Sequence, residues 1–209
     1  MNEPPLVVKV GGGLLRDRGL AGLRAACAEV GVLAARRRVL VVPGGGPFAD
    51  AVRELDRRIG LSDAVAHELA LRAMDQLGVM LCELLGVGAR VTRLGGCPLP
   101  VGAAVLEAAP AFRGRPDVPE SWAVTSDSLA VLAAVAIGAP EAILLKSVPG
   151  ILPRWPGDDP PLTALTAAEL AARQGGGTGA VDAYLPDAVR RTGVVVTVRS
   201  PESRGTRID

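Results

Sequence analysis

Two short β-branched runs in this chain each end in a glycine triplet that leads into a helical stretch. Leu6 to Val10 runs into Gly11-Gly12-Gly13, and Val39 to Val42 runs through Pro43 into Gly44-Gly45-Gly46. Strands joined through helices in this way lie parallel in a sheet whose two faces are covered by those helices. Glycines at such a junction also let backbone N–H groups approach a phosphate closely. A single triplet reads equally well as a plain turn. Two of them on successive strands place two anion-binding backbone nests, each with a helix N-terminus behind it, at one edge of a parallel sheet. Neither is a G-x-G-x-x-G dinucleotide fingerprint, and Lys9 precedes its glycines, so the first is not a Walker A loop.

The rest of the chain keeps the same rhythm. Helices are predicted over Gly19 to Ala35, Pro47 to Arg58, Ser62 to Leu85, Ser128 to Ile137, Ala167 to Arg173 and a stretch ending at Arg191. Strands are predicted over Ala142 to Leu145 and Val194 to Val198, with shorter pieces at Arg90 to Leu94 and Val101 to Leu106. In the long helix, Ala66, Leu69, Ala70, Ala73, Leu77, Met80, Leu81 and Leu84 form one apolar stripe for a core or a partner subunit. The looser segment from Ala89 to Glu120 is expected to face substrate. With 209 residues and no composition break, the expectation is one α/β domain spanning 1–209.

Of the 23 basic residues only Lys9 and Lys146 are lysines, and each closes an apolar strand. An ammonium is a compact point charge that fits against one phosphate oxygen, where a guanidinium is a planar fork. Thr125-Ser126-Asp127-Ser128 supplies four polar residues at a helix start; one suffices as an N-cap, and a carboxylate held there could aim lysine ammonium groups. His67, the single histidine, borders the apolar face of its helix and reads either as a packing residue or as a ligand of an acceptor phosphate. A net charge of +1 and five aromatic residues (two Phe, two Trp, one Tyr) argue against a nucleic-acid partner. Cys27, Cys82 and Cys97 have no metal-ligand spacing, so reduced, buried thiols are expected. The N-terminus has no signal-peptide pattern and no stretch is fit to span a membrane, so a cytoplasmic protein is expected.

Lys9-Val10-Gly11-Gly12, Gly44-Gly45-Gly46, Ser126-Asp127, Val148-Pro149-Gly150-Ile151 and Gly205-Thr206-Arg207-Ile208 occur in that order along almost the whole chain. This series resembles the amino acid kinase family. The resemblance implies a three-layer αβα sandwich with a mainly parallel central sheet, binding ATP with Mg²⁺ held by the nucleotide rather than by protein side chains. It implies that Lys9 stabilises the transferring phosphoryl and that Asp127 organises the lysine. Gly11, Gly12, Gly13, Gly44, Gly45, Gly46, Thr125, Ser126 and Ser128 would then hold the phosphoryl and the acceptor, with Ser147, Val148, Gly150, Ile151 and Thr178 at the nucleotide.

Within the family, the short length, the His67-Glu68-Leu69-Ala70 and Met74-Asp75-Gln76 segments, and Ser121-Trp122 look most like the (aminomethyl)furanmethanol phosphate kinases of methanofuran-type cofactor synthesis. Those enzymes convert a phosphomonoester to a diphosphate. Uridylate, isopentenyl phosphate and acetylglutamate are alternative acceptors, and a non-catalytic nucleotide-binding or molybdate-storage protein is a different class on the same fold. The chain departs from the family where Thr178-Gly179-Ala180-Val181-Asp182-Ala183-Tyr184 lacks the second catalytic lysine, and Lys146 is the candidate to replace its charge. A small-molecule substrate and a homodimer or larger homo-oligomer complete the expectation.

Overall fold

A computed structural model describes residues 3–96, 98–174 and 180–209. In chain order the elements are β1 (Leu6–Val10), α1 (Gly12–Ala34), β2 (Val39–Pro43), α2 (Gly46–Ile59), α3 (Asp63–Leu85), β3 (Arg90–Val91), β4 (Ala103–Leu106), α4 (Ala108–Phe112), α5 (Ser126–Ile137), β5 (Glu141–Leu145), β6 (Ala164–Leu165), α6 (Ala167–Gln174), α7 (Leu185–Thr192), β7 (Val195–Arg199) and β8 (Thr206–Ile208). The strands form one sheet in the order β3-β4-β2-β1-β5-β7-β8-β6. Its pairs are parallel except β7 with β8. The expected mainly parallel αβα sandwich is the fold observed.

Strand alternation divides the core in two. Val7, Leu40, Val42 and Leu144 point to the face covered by α4, α5, α6 and α7, whereas Leu6, Val8, Val10, Val41 and Leu145 point to the face covered by α1. Burial of both faces explains why the strands read as unbroken apolar runs. Lys9 shares the face of Val7, and α5 lies on that face, so the lysine is aimed at the start of α5.

The sequence-based boundaries differ in instructive places. Helix α1 begins at Gly12, seven residues before the predicted start, with a break at Gly19 (φ 59°, ψ −152°). Glycine is a poor helix former, so a helix opened by glycines is hidden from propensity. The stripe predicted on α3 is wider than expected: Ala66, Ala73, Leu77 and Leu81 are buried as predicted, and Leu71 and Met74, outside it, are buried in the other core. Leu69, Met80 and Leu84 are only partly buried.

Candidate active site

β1 lies at the centre of the sheet, paired with β2 on one side and β5 on the other, both parallel. Chain connections leave this point in opposite directions, which opens a crevice beyond the C-terminal strand ends. In the register of β1 and β5, Val10 lies opposite Leu145, so the ends carrying Lys9 and Lys146 are neighbours. Asp127, in the first turn of α5, faces both. Lys9 Nζ is 2.8 Å from its Oδ1 and Lys146 Nζ is 2.6 Å from its Oδ2. The Lys146 contact is an aligned hydrogen bond, whereas the Lys9 contact is an ion pair that leaves Oδ1 without an aligned donor.

Burial shapes the charges here. Lys9 is 4% exposed and Asp127 2%. Desolvation lowers the Lys9 pKa to about 8, opposed by the Asp127 charge and reinforced by the Lys146 charge. For Asp127 desolvation pushes the other way, and the charges of Lys146 and Lys9 overcome it, holding the carboxyl well below the usual range. The centre is a carboxylate clamped by two ammonium groups.

Two cavities meet at this centre. One, of about 160 Å³, is bounded by Gly12, Gly45, Gly46, Arg53, His67, Leu71, Met74, Trp122, Val124, Thr125, Ser126 and Asp127. The other, of about 110 Å³, is bounded by Gly11, Ser147, Val148 and Ala180. Lys9, Gly13, Arg16 and Lys146 line both. The starts of α1, α2 and α5 border the first cavity, and N–H groups of an opening helical turn have no partner within the helix. The arrangement can hold two anionic groups on either side of a paired-lysine centre.

The model of the amino acid kinase family matches residues 4–92 and 105–200. The chain belongs to the amino acid kinase family. It is 30% identical over 156 residues to the [5-(aminomethyl)furan-3-yl]methyl phosphate kinase of Methanocaldococcus jannaschii, covering 72% of this chain and 69% of that protein. Among solved structures it resembles uridylate kinase from Archaeoglobus fulgidus, with a TM-score of 0.71 at 19% identity over 98% of this chain and 99% of that one. It also resembles aspartate kinase from Synechocystis, with a TM-score of 0.72 at 19% identity over 98% of this chain and 39% of that one. At such identities these two speak for the fold alone.

In this member of the family the glycine loops do more than border a cavity. The N–H groups of Gly11 and Gly44 extend the sheet, donating to Leu145 O and Val10 O at 2.8 Å each. A Cβ on Gly12 would lie 2.0 Å from the Gly46 nitrogen, so the two loops pack backbone against backbone. Gly12, Gly13, Gly45 and Gly46 are left at the helix starts. Thr125 and Ser126 line the first cavity, but Ser128 is fully buried beneath it. On the other side Ser147 and Val148 line the second cavity. Gly150 and Ile151, expected at the nucleotide, are packed on β8 instead: Ile151 is buried in the core and its N–H donates to Thr206 Oγ1 at 2.9 Å. Thr178, with Gly175 to Gly179 and Cys97, lies outside the described residues. Among the described residues of the segment 89–120, expected to face substrate, none lines either cavity.

Sequence reasoning missed Asp182, Arg16 and Arg53. Asp182 Oδ2 accepts from the Thr125 N–H (2.9 Å), Thr125 Oγ1 (2.8 Å) and the Ser128 N–H (3.0 Å), and Oδ1 accepts from Ser128 Oγ (2.5 Å) and the Leu185 N–H (2.9 Å). Its own N–H donates to Asp127 Oδ2 at 3.2 Å. It therefore fastens the start of α5, and with it Asp127, to the start of α7. Desolvation and the Asp127 charge raise its pKa, against the hydrogen bonds from Ser128 and Thr125. Arg53 pairs with Asp50 at 2.9 Å and lies 4.9 Å from the Trp122 ring centre, and Arg16 is 3.4 Å from the same Asp50. The only signal for the two arginines is helical spacing from the glycine triplets, which brings them back over the loops.

Proposed function

We propose that this kinase transfers the γ-phosphoryl of ATP to the phosphate of a compact phosphomonoester, [5-(aminomethyl)furan-3-yl]methyl phosphate, giving the diphosphate and ADP. The observation that carries the reading is the wall common to both cavities: Lys9, Gly13, Arg16 and Lys146 stand where a nucleotide on one side would meet an acceptor on the other. An acceptor phosphate oxygen attacks the γ-phosphorus while the bond to the β-γ bridging oxygen breaks, and that oxygen leaves with ADP. The nucleophile is already an anion, so no general base is required. Lys9 and Lys146 offset charge on the transferring group, and Asp127 keeps both ammonium groups aimed. Gly45, Gly46, Arg16 and Arg53 hold the acceptor phosphate in line, and Ser147 and Val148 border the nucleotide.

Asp127 already faces two ammonium groups, which fits a Mg²⁺ ion carried on the nucleotide phosphates and held by Asp127 through no direct bond. Such an ion would supply charge neutralisation on the nucleotide phosphates. The described strands share one sheet, which supports a single domain. Exposed Leu55, Ile59 and Val65 on neighbouring parts of α2 and α3 support a homo-oligomer. Dependence on ATP supports a cytoplasmic location, and among the described residues no helix is long and apolar enough to cross a membrane.

The test is ³¹P NMR of the purified protein with MgATP and a panel of the furanylmethyl phosphate, UMP, isopentenyl phosphate, acetylglutamate and aspartate. A new pair of diphosphate doublets with the furan compound is expected. Product with another member reassigns the acceptor, and an acyl phosphate moves the acceptor chemistry to carboxylates. ATP binding without any product over hours points to a storage or sensing protein.

A further inference from the structure

His67 reaches the first cavity from the beginning of α3, is 7% exposed, and its Nε2 is buried without a hydrogen-bond partner. A buried polar atom in that state has given up hydration with nothing in exchange, which marks it as awaiting a partner. Nearby cavity residues on the same helix, Ala70, Leu71 and Met74, offer no polar side-chain atom apart from a thioether. The position within the cavity matters as much. The wall common with the nucleotide side is Lys9, Gly13, Arg16 and Lys146, and His67 is not part of it. The partner of Nε2 therefore belongs to the acceptor rather than to the nucleotide.

The charge of that partner follows from the surroundings. Burial holds the His67 imidazole below its ordinary pKa, with the Glu120 charge pulling the other way, so the ring is neutral at neutral pH. A neutral imidazole has one ring nitrogen that accepts a hydrogen bond. Its other ring nitrogen donates, so a neutral ring can meet either kind of group, and the Glu120 charge separates them: it repels a phosphate and attracts an ammonium.

We propose that His67 determines acceptor specificity: Nε2 accepts a hydrogen bond from a primary ammonium on the acceptor, at the end opposite the phosphate, with Glu120 adding negative charge nearby. The proposal rests on the furan phosphate reading above and gives that acceptor an orientation, phosphate at Lys9 and Arg16, amine at His67. It also replaces the expectation that His67 binds phosphate.

The experiment compares [5-(aminomethyl)furan-3-yl]methyl phosphate with its analogue bearing a plain methyl in place of the aminomethyl group, in the wild type, His67→Phe and His67→Gln. The wild type is expected to favour the amine by at least ~10-fold in kcat/KM, the range of a lost charge-assisted hydrogen bond. His67→Phe is expected to lose that preference with KM for ATP unchanged. Because His67 is the single histidine, ¹⁵N NMR of the wild type reads Nε2 without any variant. Its resonance is expected to move with the amine compound and to stay with the methyl analogue. An intact preference in both variants, or turnover of the amine compound without movement of Nε2, overturns the proposal. Movement of Nε2 with no turnover retains the binding role and removes the kinase reading; neither movement nor turnover removes both.

Discussion

Asp127 spends one oxygen on each lysine, and the consequence for catalysis differs between the two. Lys9 is nearly sealed, while the Lys146 side chain is 16% exposed at the junction of the two cavities. Replacing Lys146 with alanine leaves Ser147 and Val148, the proposed nucleotide side, in place and removes one preorganised cation. Turnover is expected to fall by at least ~10²-fold, with KM for ATP within ~3-fold, in steady-state assays; an unaffected kcat would return Lys146 to a structural role. Lys9 gives a pH prediction with two opposite readouts. Its pKa of about 8 lies below the ordinary 10.5. In the proposed mechanism the charge on Lys9 meets the γ-phosphoryl, so kcat/KM for ATP is expected to decline above pH 8, a limb that Lys9→Arg abolishes. Across the window from about 8 to 10.5 the unfolded chain binds the proton that the native state has released, so Lys9 contributes stability that rises with pH. Comparing denaturation midpoints of the wild type and Lys9→Met across that window isolates the contribution, because the variant has no such group.

Helix α5 shows how one element is fixed by a residue far from it in sequence. Its N-cap Thr125 makes no side-chain cap of its own, and Asp182 takes the N–H groups of Thr125 and Ser128 instead. Asp182→Ala strips these donors and that of Leu185 of their acceptor in a buried place. A loss of about 2–4 kcal/mol is expected in urea or thermal unfolding, with kcat falling as Asp127 loses its anchorage. Asp182→Asn, which keeps an acceptor oxygen, is expected to retain part of both. The polar run 125–128 was legible as a helix start, yet its partner was not, because an aspartate hydrogen-bonding across the fold has no periodicity to betray it. The same holds for α4: five residues with an internal proline, held by Asp75 accepting the Ala108 N–H at 2.5 Å. Two-residue β6 is equally invisible, since it exists only through its pairing with β8. Among the strands, β1 and β2 were legible because burial at every position writes itself into consecutive apolar residues, whereas β5 and β7, which alternate buried with half-buried positions, showed through their β-branched and aliphatic content.

At the scale of the whole molecule, the order of strands turns separate motifs into one cleft. Lys9 and Lys146 could be singled out in the sequence by composition, but their meeting depends on β5 inserting beside β1, a pairing that neither strand encodes alone. The same order sorts the cleft into halves: α2, α3 and the start of α5 bound the first cavity, and the turn after β5 bounds the second. Recognition of the two substrates should then be separable by mutation. Arg53 belongs to the first half, where it stacks over Trp122 and pairs with Asp50; Val148 belongs to the second. Arg53→Ala removes a cation from the acceptor side and is expected to raise the acceptor KM by ~10-fold while KM for ATP stays within ~2-fold. Val148→Asp puts a carboxylate in the second cavity, the proposed nucleotide side, and is expected to do the reverse, since like charges brought together oppose binding. Initial-rate measurements over a grid of both substrates separate the two constants. If either substitution raises both KM values equally, the cavities are not the two substrate sites and the division of the cleft falls.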